Sequence, residues 1–127
     1  MPYFHVWFAT RRRRWLIQGE VVDFLRAQMR TIAQEKELRL LECEAVVDHA
    51  HLLLEVDRPA DLPKAINYLK GISSRRLRAA FPDFKHDAAI RSFWQHRYAA
   101  KEVEPAALTA VRNYIRTQWD RLEDYDR

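Results

Sequence analysis

The apolar residues of this chain change their spacing from two to nearly four and back along its length, and that alternation restricts the fold more than any single motif does. Residues 3–9, YFHVWFA, are aromatic and β-branched and predict a strand. Over residues 20–36, Val21, Val22, Leu25, Met29, Ile32 and Ala33 recur at helical spacing, so an amphipathic helix follows. Residues 38–47 return to a period of two, with Leu41, Cys43, Ala45 and Val47 on one face and Glu42 and Glu44 on the other. A second apolar run covers residues 50–56, and Asp48 between the two runs is a turn residue, which predicts an antiparallel hairpin. From Asp61 as N-cap to Ala80, with Pro82 as the stop, Leu62, Ile66, Leu69, Leu77 and Ala80 share a helical face. Residues 92–103 predict a fourth strand, and Pro105 opens a last helix with the stripe Leu108, Val111, Ile115, Trp119 and Leu122.

The resulting order is β-α-β-β-α-β-α. Its first six elements match the ferredoxin-like split βαβ arrangement, an α+β fold in which an antiparallel sheet carries its helices on one face; the seventh is an additional C-terminal helix. At 127 residues the chain is expected to form one domain, 1–127, large enough to bury a core without disulfides or structural metal. Cys43 is the only cysteine, which excludes an intramolecular disulfide and a thiolate zinc cluster and fits a reducing cytoplasm. No apolar run approaches the ~18 residues that span a bilayer, and the charges at the N-terminus follow the apolar segment, so neither a membrane span nor a signal peptide is expected. Gly19 and Gly71 are the only glycines. A Gly-rich phosphate loop is therefore absent, and no nucleotide cofactor is expected.

The charge is modest in sum and uneven in distribution. Lys plus Arg number 22 against 18 acids, a net +4, yet the bases gather at Arg11 to Arg14, at Lys70 with Arg75, Arg76 and Arg78, and at Arg91, Arg97 and Lys101, while the C-terminal tail holds Asp120, Glu123, Asp124 and Asp126. Such clusters suit a polyanion, although charge runs are more often plain solvated faces.

Two short patterns carry possible chemistry. His49 and His51 stand one residue apart on the second strand of the hairpin, so both rings emerge on one face while Ala50, Leu52, Leu54 and Val56 turn to the core. That spacing serves a divalent cation as a two-pronged nitrogen ligand, and it equally describes two half-exposed surface histidines. In YIRTQ, residues 114–118, Tyr114 and Gln118 are one helical turn apart beside the apolar stripe. A phenol can attack phosphorus and an amide carbonyl can ligate a metal, but an edge-of-core tyrosine with a solvated neighbour has the same spacing.

Taken together, His49-Ala50-His51-Leu52-Leu53-Leu54, Leu69-Lys70-Gly71-Ile72-Ser73-Ser74-Arg75-Arg76-Leu77 and Tyr114-Ile115-Arg116-Thr117-Gln118 resemble the single-tyrosine HUH transposases of small bacterial insertion sequences (IS200-like). They are also similar to the domesticated relatives that act on repetitive extragenic palindromes. The likeness spans nearly the whole chain from Phe4. It implies that His49, His51 and Gln118 hold Mg²⁺ or Mn²⁺, and that Tyr114 attacks a scissile phosphate to give a 5′-phosphotyrosine and a free 3′-OH. It also implies a homodimer, associated with the nucleoid, acting on single-stranded DNA that carries a hairpin. Arg11, Arg12, Arg13, Arg14, Lys70, Arg75, Arg76 and Trp94 are the candidate DNA contacts. A different class, a non-catalytic nucleic-acid-binding module on the same scaffold, shares all of these features except the covalent step.

Overall fold

The computed structural model describes residues 1–85 and 93–124; Arg91, Ser92, Asp126 and the side chains of Leu122, Glu123 and Asp124 lie outside the described residues. Among the described residues, four strands and three α-helices run in the expected order: β1 (Tyr3–Ala9), α1 (Glu20–Glu35), β2 (Arg39–Val46), β3 (His49–Glu55), α2 (Leu62–Ala80), β4 (Ala99–Val103) and α3 (Leu108–Arg116). The four strands form one antiparallel sheet in the order β2-β3-β1-β4, which is the ferredoxin-like arrangement. None of the described helices is long and apolar enough to cross a membrane.

The alternation of the strands divides the apolar residues between two layers. Val6 and Phe8 of β1, Cys43 and Ala45 of β2 and Ala50, Leu52 and Leu54 of β3 pack with Val22, Leu25, Met29 and Ile32 of α1 and with Ile66, Leu69 and Leu77 of α2. The other face is sparser. There Leu53, Val103 and Ile115 are buried, with Tyr3, Leu41, Leu108 and Val111 packed at their margin, so α3 covers the sheet from the side opposite α1 and α2.

Several expectations are corrected in detail. Leu41 does not share the face of Cys43, because a β-bulge shifts the register between Leu40 and Glu42 and turns Leu41 toward α3. Glu42 and Glu44 do not look into solvent; both are buried, Glu42 against Arg112 at 3.1 Å and Arg116 at 2.6 Å, and Glu44 against Arg26 at 2.7 Å. Val47 leaves the strand and joins Asp48 in the turn at φ +49°, a left-handed conformation that costs a β-branched residue strain. Asp61 holds the N-cap position, but its carboxylate takes Arg58 at 3.3 Å, and a 3-10 turn, Pro59–Asp61, leads into α2.

The fourth strand is shorter than expected, beginning at Ala99. Ahead of it Trp94 makes only an isolated bridge to Thr10, and the Lys70 ammonium gathers the carbonyls of Gln95, His96 and Arg97 at 2.5, 3.1 and 3.3 Å, bending the chain out of the sheet. Trp94 itself is 1% exposed, its indole N–H donating to Ser73 Oγ at 3.0 Å and its ring edge-on to Phe8. It is a core residue. Its truncation to Ala is expected to cost about 3–5 kcal/mol, read from urea unfolding; a cost below about 1 kcal/mol would mean the indole does not fill the core.

Candidate active site

The face of the sheet beneath α3 carries the histidines. β1 and β3 are the central strands, paired in the register Trp7↔His51 and Ala9↔His49. Since Ala50 and Leu52 enter the main core, His49 and His51 emerge on the α3 side, and by the same alternation Val6 and Phe8 send His5 and Trp7 to that side. His5 was not among the residues singled out from the sequence. Its signal was present in the period-two run of residues 3–9, but nothing in the sequence revealed that this strand would lie directly beside the histidine strand.

The three imidazoles form a connected group. The His49 and His51 ring centroids are 4.9 Å apart at 83°, while His5 meets His51 edge to edge at 5.1 Å, with planes 26° apart. His5 Nε2 and His51 Nδ1 are 2.9 Å apart, a hydrogen bond. His49 Nδ1 meets Asp48 Oδ1 at 2.7 Å, and the other oxygen of Asp48 accepts from Arg13 Nε at 3.0 Å. Burial, reinforced by the nearness of His49 and His5, pushes the His51 imidazole down to about 3, and burial lowers His5 as well. Both rings are thus neutral at physiological pH, with lone pairs available. The acid paired across the sheet from His51, Glu44, is turned away to a two-pronged contact with Arg26.

Tyr114 stands over this group. Its ring is edge-on to His51 at 5.7 Å and to His5 at 5.9 Å, and the Arg121 guanidinium lies 4.9 Å from its centroid. The short α3 holds this pose through Leu108, Val111 and Ile115 on the sheet and through Arg112 and Arg116, which lie one helical turn apart and both reach Glu42. A cleft of about 510 Å³ opens beside the tyrosine, lined by His5, Trp7, His51, Ala107, Ala110, Val111 and Tyr114. Tyr114 is 37% exposed, so substrate can reach it.

Gln118 departs from the expected geometry. The α-helix stops at Arg116, and Gln118 follows in the turn beyond, 2% exposed, with its amide nitrogen donating to the Tyr114 carbonyl at 2.8 Å. Its carbonyl oxygen is the atom left for a cation. Among the described residues there is no group of three or more His, Cys, Asp or Glu side chains suited to a metal ion. The ring nitrogens of His49 and His51 and the amide oxygen of Gln118 are the groups whose chemistry suits a divalent cation.

The candidate DNA contacts fall into two groups. Arg11, Arg12 and Arg13 form a single 3-10 turn directly after β1, with Arg12 and Arg13 at φ +60° and +55°, and Arg13 is ion-paired to Asp48; together with exposed Arg14 they border the histidine end of the sheet. Exposed Trp15, missed in the sequence reading, follows them, and Lys101 of β4 pairs with His5 across the sheet on the same face. Lys70, Arg75, Arg76 and Trp94 are elsewhere. Lys70 is spent on backbone carbonyls, Arg76 joins α2 to α1 through Gln28 at 3.1 Å and Glu35 at 2.7 Å, Trp94 is core, and Arg75 is exposed on α2, beyond the opposite face of the sheet.

Fold and site together define an α+β protein with a tyrosine helix laid over a histidine-bearing ferredoxin-like sheet. The family model described as "Transposase IS200 like" matches residues 2–118, and the chain belongs to that family of transposases. The ISDra2 transposase TnpA of Deinococcus radiodurans is 30% identical over 118 residues, which are 93% of this chain and 84% of that protein. The transposase for insertion sequence element IS200 of Salmonella typhimurium is 32% identical over 115 residues, 91% of this chain and 75% of the relative. A crystal structure of a transposase from Deinococcus radiodurans R1 superposes with a TM-score of 0.74 at 30% identity, covering 93% of this chain and 92% of that one. The REP-associated tyrosine transposase bound to a REP hairpin shares the fold, with a TM-score of 0.65 at 12% identity over 97% of this chain and 67% of its own.

The depressed His51 has a consequence for stability. Its folded value is about 3 against 6.5 for the free side chain, so below pH 6.5 the unfolded chain takes up a proton that the folded chain refuses. Stability from this group is full above pH 6.5 and declines as pH falls toward 3. His51→Gln is expected to shrink the drop in Tm between pH 7 and pH 5, where few carboxylates titrate; a drop equal to that of the unaltered protein would show that His51 protonates freely in the fold.

Proposed function

We propose that the protein cleaves and rejoins single-stranded DNA through a covalent link to Tyr114, with His49, His51 and Gln118 holding a divalent cation. The observation that carries this reading is the placement of an accessible phenol edge-on to His51 at 5.7 Å, beside an open cleft. A cation bound there supplies Lewis-acid polarisation of the scissile phosphate and charge to stabilise the departing 3′ oxygen. His51 is suited to hold it because it is neutral, and both strand histidines have Nδ1 already engaged, which leaves Nε2 as the open ring nitrogen of each.

Tyr114 Oη attacks phosphorus as the bond from phosphorus to O3′ breaks; the phenolic proton passes to solvent, and the departing oxygen takes up a proton as the free 3′-OH. One phosphodiester is exchanged for another. A later 3′-OH can attack the phosphotyrosine and displace the phenol, so rejoining needs no nucleotide, consistent with a chain that has no Gly-rich phosphate loop. Arg11 to Arg14, with Trp15, border the site and are placed to grip a phosphate backbone and stack an unpaired base. The substrate is a strand with a hairpin beside its single-stranded flank, as the hairpin complex of the structural relative suggests.

The test uses one oligonucleotide labelled at either end and incubated with protein and Mn²⁺. After cleavage, the label on the 3′ side of the break is expected to run with the protein on a denaturing gel, and Tyr114→Phe is expected to abolish that band while leaving hairpin binding intact. A band that persists in Tyr114→Phe would make another residue the nucleophile. No band from the unaltered protein, with binding retained, would favour a non-catalytic binding module.

A further inference from the structure

Each neutral imidazole has one N–H and one lone pair, and the partner of one nitrogen decides what the other can do. For His49 the partner is the Asp48 carboxylate, which only accepts, so Nδ1 carries a proton and Nε2 is the nitrogen left to face a cation. Asp48 is held in turn by Arg13. His51 has no carboxylate: Glu44, its cross-strand neighbour, is committed to Arg26 and to the backbone N–H of Ala45. What Nδ1 of His51 meets is Nε2 of His5, at 2.9 Å.

We propose that His5 is a positioning residue for His51, accepting its Nδ1 proton so that Nε2 of His51 is left as a lone-pair donor, the role that Asp48 fills for His49. The assignment rests on the reading of His51 as a metal ligand. Facing ring nitrogens of two neutral imidazoles share one proton, so there are two arrangements. If His5 donated, His51 would carry its proton on Nε2 and could not ligate a cation through it. If His51 donates, both strand histidines present the same tautomer, and His5 carries its own proton on Nδ1. The edge-to-edge approach of the two imidazoles, their planes only 26° apart, together with the tilted contact of His5 with Trp7 at 4.8 Å, fixes the acceptor in place. Pairing of β1 with β3 sets this contact, so the sheet itself chooses the tautomer.

Two measurements test it. His5→Phe keeps the ring packing against Trp7 and Tyr114 and removes only the acceptor; it is expected to weaken Mn²⁺ binding, read from the electron paramagnetic resonance of free Mn²⁺, by about 10–100-fold. His5→Gln, whose amide oxygen accepts near the position of Nε2, is expected to recover most of that loss. In the unaltered, ¹⁵N-labelled protein with diamagnetic Mg²⁺, His51 Nδ1 is expected to be of the protonated type and coupled across the hydrogen bond to an unprotonated His5 Nε2. Unchanged Mn²⁺ affinity in a folded His5→Phe, or a spectrum with the proton on His5 Nε2, would overturn the assignment while leaving the metal site standing. Failure of the unaltered protein to bind Mn²⁺ at all would instead remove the metal reading, and the assignment with it.

Discussion

β1 lies beside β3 with Trp7 opposite His51, and the site follows from that register. Because side chains alternate across a strand, a slip of one residue would send His49 and His51 into the core and turn Ala50 and Leu52 out to α3. The penalty against such a slip comes from the main core, where Val6, Phe8, Ala50, Leu52 and Leu54 are each at most 3% exposed. The same hydrophobic pattern that folds the domain therefore aligns the imidazoles. It also brings His5 against His51, where the contact is a by-product of pairing two central strands with no loop between them to adjust.

α3 depends on a second, weaker arrangement. Nine residues are too few for a helix to persist alone in water, so its form rests on docking. The apolar contribution is small, Ile115 being the one helix residue fully buried, against Leu53 and Val103 of the sheet, and the buried carboxylate of Glu42 adds contacts to Arg112 and Arg116, one helical turn apart. An unpaired carboxylate at that depth would be costly, which ties the orientation of the helix to the placement of the tyrosine. Past the helix, Trp119 donates its indole N–H to the Ala45 carbonyl at 3.0 Å, and the Ala45 N–H is taken by Glu44, so backbone groups on the free edge of β2 are satisfied by side chains.

The element order and the face of each central strand were legible in the sequence because local periodicity and core burial agree there. Val21, Val22, Leu25, Met29, Ile32 and Ala33 are all buried on α1, and Ala50, Leu52, Leu54 and Val56 are all in the core, as their spacing predicts. What was not legible depends on contacts distant in sequence. The bulge at Leu41 answers to α3, and the left-handed Val47 is held by its bridge to Ile17. Trp94 looked like a stacking residue because exposure of an aromatic cannot be read from its neighbours in sequence; Ser73 and Phe8 decide it. Lys70 looked free for phosphate for the same reason. Tyr114 and the histidine pair were legible as chemistry, whereas their meeting, and the presence of His5 beside both, required the strand order.

The central claim is that this one sheet face, with α3 over it, forms a single metal-and-tyrosine site. Crystals grown with Mn²⁺ and measured for anomalous scattering test it most directly. The account predicts one strong peak bonded to Nε2 of both His49 and His51, beside Tyr114. A peak bonded instead through Nδ1, or Mn²⁺ found away from both histidines at saturating concentration, would contradict it.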